Sequence, residues 1–200
     1  MIPSSKLPCI YLASRSPRRA ELLHQLGVGC KVVPADIDET PQAMECSDAY
    51  VKRLAIEKAQ TGFDLVIKNI WHVMPVLAAD TTVSIDGEIL GKPQDEEDAY
   101  RMLSRMSGRW HEVHTGVAIA IQGEVWIEIS STRVLMDNLS DTLIRAYIAT
   151  GEPKDKAGAY GIQGLAGALI KRIEGSYSGV MGLPVYETTQ LLKQAGIAVL

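Results

Sequence analysis

Three arginines crowd one short stretch, LASRSPRRAELLHQLG, which runs from Leu12 to Gly27. Arg15, Arg18 and Arg19 surround what reads as a helix start, with Ser16 as N-cap and Pro17 at the first helical position. The amino end of a helix carries partial positive charge, so cations there are locally unfavourable. Free backbone N–H groups beside two guanidinium forks make a ready site for an anion, phosphate above all. The alternative is that the arginines pair with acids elsewhere on the surface.

Other residues suit the same chemistry. Asp80 ends the apolar run MPVLAAD, and Thr81 and Thr82 set hydroxyls beside it. In open α/β sheets ligands gather beyond the carboxyl ends of strands, although an Asp there can also simply form a turn. Lys58 continues the inward stripe of Val51, Leu54 and Ala55, so it either snorkels past the core or reaches into a cleft. Lys92 follows the turn LGKP and by itself reads as a surface lysine. Asp36, Asp38 and Glu39 form an acidic loop, which could hold Mg²⁺ through one or two carboxylates or be plainly solvated.

The segment Gly151–Gly167 contains five glycines. Their spacing is not GxGxxG, and no GxxxxGK[ST] occurs, so the common dinucleotide and P-loop fingerprints are absent. Glycines let backbone approach a ligand closely, and the Gln163 amide could read a base edge; a mobile loop is the alternative. His111 and His114 fall at i and i+3 on a strand, point to opposite faces and read as structural. Glu96, Glu97 and Asp98 read as a helix-start charge run. The inventory is rich in Arg and Lys, with one strand-end Asp and a few acids. It has no histidine base and no Cys or Ser nucleophile motif. That mix suits reaction at a polyphosphate, which needs charge neutralisation, a metal and a positioned water.

The elements that must position these groups alternate. Strands are expected at Ile10–Ala13, from Cys30, over MPVLAAD, in a hairpin about Asp86-Gly87, and in two long runs joined at Gln122-Gly123. A further strand lies in ALIKRIE, with SYSGVMG read as loop. Helices are expected after Ser16, over SDAYVKRLAIEKAQ with Ser47 as cap, over the segment ending at Gly108, after Ser140, and from Pro184. This pattern predicts an α/β fold with a mixed sheet, flanking helices and one substantial core, as one domain over 1–200 or a bilobed unit. The chain has 200 residues, 46% of them hydrophobic, and a net charge of −4, so a nucleic-acid duplex is not the expected partner. Cys9, Cys30 and Cys46 suggest neither a disulfide framework nor a zinc site, which fits the cytoplasm. The first residues form no apolar leader, and no run is long enough to span a membrane.

In order along the chain, LASRSPRRAELLHQLG, DIDET, RLAIEKA, AADTTV, GEILGKP, DKAGAYGIQGLAG and IEGSYSGVMGLP resemble the Maf-like proteins. These are nucleoside triphosphate pyrophosphatases once described as septum formation inhibitors. The resemblance runs from about residue 10 to the last helix. It implies the fold type of inosine triphosphate pyrophosphatases, a mixed sheet with a deep cleft. It also implies hydrolysis between α- and β-phosphates with a divalent cation, Mg²⁺ or Mn²⁺. Asp80 then matches the proton acceptor or a metal ligand. Ser14, Arg18, Arg19, Glu39, Lys58 and Lys92 match phosphate- and metal-handling positions, with Glu39 the other metal ligand. Arg18, Thr81 and Gln163 resemble the branch acting on dTTP and UTP; the branch preferring 7-methyl-GTP tends to carry Trp, Gln and Glu there. House-cleaning of pyrimidine nucleotides, a link to arrest of cell division, and a homodimer are implied by the family alone. Two other readings compete: a nucleotide-sensing regulator of septum formation without turnover, and a pyrophosphatase for 7-methyl-GTP or ITP. The stretch TGFDLVIKNIWHVM matches no family pattern.

Overall fold

A computed structural model describes residues 9–199. The reading of the first eight residues as no leader lies outside the described residues. Seven strands form one mixed sheet: β1 (Cys9–Leu12), β2 (Gly29–Val32), β3 (Val76–Ile85), β4 (Glu88–Leu90), β5 (Trp110–Ile121), β6 (Glu124–Met136) and β7 (Ile170–Glu174). Their order is β2-β1-β3-β5-β6-β7, with β4 paired to β3. β1 lies parallel to both β2 and β3, and the remaining pairs are antiparallel. Six helices flank the sheet: α1 (Pro17–Gln25), α2 (Ser47–Lys68), α3 (Glu96–Met106), α4 (Asp141–Ala149), α5 (Tyr177–Met181) and α6 (Val185–Gln194). Among the described residues no helix is long and apolar enough to cross a membrane.

Local chemistry explains most boundaries. Asp86-Gly87 and Gln122-Gly123 all have positive φ, the hairpin geometry that matches strand twist. The Asp95 and Ser140 side chains accept N–H groups of Asp98 and Leu143 and so cap α3 and α4.

Several expectations are corrected. Ser16 is the N-cap of α1, but its side chain makes no capping bond; Ser14 Oγ instead accepts the Ser16 N–H. Cys46, not Ser47, is the N-cap of α2. That helix continues past Gln60 to Lys68, because Gly62 and Val66 prolong its buried stripe. The first eight of the fourteen residues of the unmatched stretch are therefore helix. The loop expected after β7 contains the short helix α5, capped by the Ser176 hydroxyl.

The largest correction concerns Asp80. It lies in the middle of β3, opposite Gly116 of β5, rather than at a strand end. Thr81 to Ser84 go on pairing with β5, and β-branched residues there favour continued strand. The other edge of β3 is the informative one. β1 accompanies it only at Val76 and Leu77, and β4 only from Val83 to Ile85. Asp80 to Thr82 face the gap that β1 leaves when it turns away toward α1.

The core follows the sheet's alternation. Leu77, Ala79, Val117 and Ile119 pack with Leu22, Leu23, Leu191 and Leu192 of α1 and α6. Val76, Ala78, Ala118 and Ala120 pack with Ala55, Ala59 and Val66 of α2. A third cluster joins Val83 and Ile85 to α3 and α4. α2 approaches the sheet closely. A Cβ at Gly116 would stand 2.5 Å from the Val51 carbonyl oxygen, and one at Gly62 would stand 2.9 Å from Val76. These glycines let α2 deliver Lys58 to the face of the sheet that bears Asp80.

The two histidines of β5 bond separate partners, His111 Nε2 with the Tyr160 hydroxyl at 2.7 Å and His114 Nδ1 with Ser131 Oγ at 2.8 Å. Burial pushes the His111 imidazole down to about 4 from 6.5. Between those values the unfolded chain binds a proton that the folded chain refuses, so stability falls as pH falls. The loss should begin below about pH 6.5 and reach about 3 kcal/mol near pH 4. Urea unfolding at pH 7, 5.5 and 4.5 checks this. His111→Gln should remove most of that slope; an unchanged slope would assign it to other groups.

Candidate active site

The gap beside β3 opens into a cleft of about 1010 Å³. All nine residues singled out in the sequence line it: Ser14, Arg18, Arg19, Glu39, Lys58, Asp80, Thr81, Lys92 and Gln163. The wall comes from the β1–α1 loop, the loop after β2, α2, β3, the turn after β4, and the glycine-rich segment. Seven Arg and Lys side chains line it against four Asp and Glu, on a chain whose net charge is −4. The cleft is therefore locally cationic on an acidic protein.

At its floor Lys58 resolves in favour of the cleft. Its Nζ donates to Asp80 Oδ1 at 2.6 Å and lies 2.7 Å from Glu39 Oε1. Lys58 and Asp80 are each 8% exposed, whereas the Glu39 side chain is half exposed. Partial burial opposes ionisation of Glu39. The bond from Lys58, its charge, and the charges of Lys92 and Arg19 outweigh this and hold the carboxyl below its ordinary range. Tyr50 donates its hydroxyl to the Glu39 carbonyl at 2.8 Å, and burial with the Asp80 and Glu39 charges pushes its phenol up to about 12.

Period-two alternation splits the β3 residues between two helices. Asp80 shares the face of Ala78 and meets α2, while Thr81 shares the face of Ala79 and meets α1. Arg19 of α1 donates Nε to the Gly182 carbonyl at 2.8 Å, Nη1 to Ser14 Oγ at 3.0 Å and Nη2 to Thr81 Oγ1 at 3.2 Å. Every one of these acceptors is neutral. Among the described residues the Arg18 side chain makes no hydrogen bond or ion pair with protein. Arg15 behaves as the ordinary reading allows, pairing with Asp36 at 3.0 Å on the surface. Arg18 thus has no acidic partner, and Arg19 bonds only neutral groups while feeling the Asp80 and Glu39 charges from a distance, so both guanidinium groups keep donors free at the helix start.

One family model matches the sequence that builds this cleft. The description "Maf-like protein" covers residues 9–195. The chain belongs to the Maf-like family. A curated relative from Methylobacillus flagellatus, named dTTP/UTP pyrophosphatase, is 58% identical over 95% of this chain and 94% of its own. One of the same name from Chromobacterium violaceum is 54% identical, covering 94% of each chain. The Haemophilus ducreyi relative, 48% identical over 96% of this chain and 97% of its own, is named nucleoside triphosphate pyrophosphatase. Among solved structures the Staphylococcus aureus Ham1 protein has a TM-score of 0.46 and 13% identity, covering 64% of this chain and 71% of its own.

The cleft of this Maf-like protein also contains groups that were not singled out. Lys154 and Lys156 extend its cationic wall from the glycine-rich segment, and the exposed Gln163 lies in the same segment. That segment is braced by Glu152. Its carboxylate accepts the Tyr147 hydroxyl at 2.9 Å and the Leu165 and Ala166 N–H groups at 2.8 and 3.2 Å. Lys156 Nζ donates to the Glu152 carbonyl. Lys156 lies inside the motif DKAGAYG, and the signal that could have marked it is a lysine set among glycines. Glu152 had no such signal, because its partners are set by the folded loop.

Proposed function

We propose that the chain hydrolyses dTTP and UTP to the nucleoside monophosphate and pyrophosphate. The observation that carries this reading is the Asp80–Lys58–Glu39 cluster at the floor of a cleft whose rim is cationic. The names of the curated relatives support the same substrates. In the reaction, water adds across the anhydride bond between the α- and β-phosphates. The oxygen joins phosphorus, the bridging oxygen leaves with pyrophosphate, and the water proton passes to Asp80. Lys58 fixes Asp80 through Oδ1, leaving Oδ2 to meet the water. Arg18, Arg19 and Lys92 offset charge along the phosphates, as loosely bonded phosphoryl groups require. Ser14 and Thr81 line the phosphate end with Arg19, and Gln163 meets the base.

Glu39 and Asp80 would hold the divalent cation. Both carboxylates converge on one ammonium, and Mg²⁺ is commonly held by one or two carboxylates with substrate phosphates completing the shell. Among the described residues no three of His, Cys, Asp and Glu form a cage, so the nucleotide must supply further oxygens. When bound, the cation neutralises phosphate charge and lowers the pKa of a coordinated water.

The test is pyrophosphate release from dTTP, UTP, CTP, dCTP, 7-methyl-GTP, ITP and ATP, with Mg²⁺ or Mn²⁺ and with EDTA. Metal-dependent release from dTTP and UTP is the expected result. Turnover of 7-methyl-GTP or ITP in their place would overturn the choice of the dTTP/UTP branch made from Arg18, Thr81 and Gln163. Nucleotide binding without turnover would favour a sensor.

A further inference from the structure

We propose that Thr115, a fully buried residue that does not line the cleft, sets the grip of the cleft on a triphosphate by fixing the direction of a hydroxyl chain ending on Arg19. This rests on the reading of the cleft as a triphosphate site. Thr115 pairs with Thr81 across the β3–β5 ladder, so their hydroxyls share one face. A threonine hydroxyl has one proton and two acceptor lone pairs. Thr115 Oγ1 spends its proton on the Gly179 carbonyl, 2.8 Å away. The 2.9 Å contact between Thr81 and Thr115 therefore has Thr81 as donor. With its proton turned inward, Thr81 presents a lone pair to Arg19 Nη2 at 3.2 Å.

The chain closes on itself. The Gly179 carbonyl also accepts the Gly182 N–H at 2.9 Å, and the Gly182 carbonyl accepts Arg19 Nε at 2.8 Å. Gly182 has φ 111°, a conformation that favours glycine. The ring ties α1, β3, β5 and the turn after α5 together around one guanidinium. Three of the five guanidinium N–H groups are committed to the protein, which leaves two, one on each terminal nitrogen, for a ligand.

The same proton count separates two neighbouring hydroxyls. Ser14 Oγ accepts from the Ser16 N–H and from Arg19 Nη1, so both lone pairs are occupied and its proton is available to a phosphate oxygen. Thr81 has no proton to give. It is a positioning residue that acts through Arg19, and Thr115 is the residue that orients it.

The experiment measures binding of inorganic triphosphate by calorimetry and kcat/KM for dTTP and UTP, at fixed Mg²⁺. Thr115→Val keeps the volume but removes the hydroxyl; Thr115→Ser keeps the hydroxyl but removes a methyl. Valine should weaken triphosphate binding about tenfold, the scale of one hydrogen bond to a charged group, and serine by no more than about twofold. The two substrates dTTP and UTP should lose kcat/KM by the same factor in the valine variant. Thr81→Val with Thr115→Val should be no worse than either alone, because both break one chain. Equal losses for Val and Ser, additive losses in the double variant, or no binding of triphosphate to the unaltered protein would overturn the proposal. If Thr115→Val does not fold, the comparison of Thr81→Val with Thr81→Ser makes the same split. Binding needs no turnover. The valine–serine split without hydrolysis of dTTP or UTP would sink the proposed reaction alone. Hydrolysis without the split would sink the chain of hydroxyls alone.

Discussion

Asp80→Asn is expected to lower kcat by about three orders of magnitude, within the range a positioned general base contributes, with little change in KM. The substitution is nearly isosteric. Its amide oxygen can still accept from Lys58 Nζ, which lies 2.6 Å from Oδ1 in the unaltered protein. What is lost is the negative charge and the capacity to take a proton from water. Steady-state pyrophosphate release and direct nucleotide binding check the split. An Asn variant with full turnover would remove Asp80 from the reaction. A loss confined to KM would make it a binding group only.

Lys58→Met should damage both stability and activity. Lys58 is the cation between Asp80 and Glu39, and both it and Asp80 are almost wholly buried. Removing one partner of a buried ion pair leaves the other charge uncompensated, which typically costs about 3–5 kcal/mol. For a chain of 200 residues that is a fall in melting temperature of about 6–20 °C. The pH dependence should also change sign locally. In the unaltered protein the Glu39 carboxyl is held below its ordinary range, so its contribution is present above about pH 4.5 and is lost as pH falls through the folded value. In the variant two carboxylates face each other without a cation, and one folded-state pKa rises. The variant should therefore gain stability on acidification from pH 7 toward 5. Millimolar Mg²⁺ should restore part of the loss at pH 7 if Glu39 and Asp80 bind it, and turnover should stay depressed at least about a hundredfold. Thermal unfolding at pH 5 and 7, with and without Mg²⁺, reads all of this. A Met variant as stable as the unaltered protein at pH 7 would mean the ion pair contributes nothing net.

Much of the site was legible in the chain, because local rules were broken there. Arginines at a helix start and a lysine on an inward stripe are costly unless something answers them, and both stand in the cleft. The arginine signal was mixed, since Arg15 does answer an ordinary surface acid. Glu152 and Thr115 were not legible. Each is an unremarkable residue type whose partners, Leu165 and Ala166 in one case and Gly179 in the other, are many residues away in sequence.

The sequence by itself determined most of the elements and their kind, though not the short helix α5 or the full lengths of β3 and α2. Turn pairs with positive φ, capping residues and period-two or helical stripes are local, so they predict the alternating strands and helices and a mixed sheet. It also singled out the charged side chains that line the cleft. Only the tertiary structure decided where they meet. Strand β3 runs straight through Asp80, and no local signal ends it there. The cleft opens where β1 leaves the edge of β3 after Leu77 and β4 joins only at Val83, so the five residues from Ala78 to Thr82 have no strand partner on that edge. Pairing at a strand's edge depends on partners distant in the chain, and so does the meeting of Lys58, Asp80 and Glu39 from a helix, a strand and a loop.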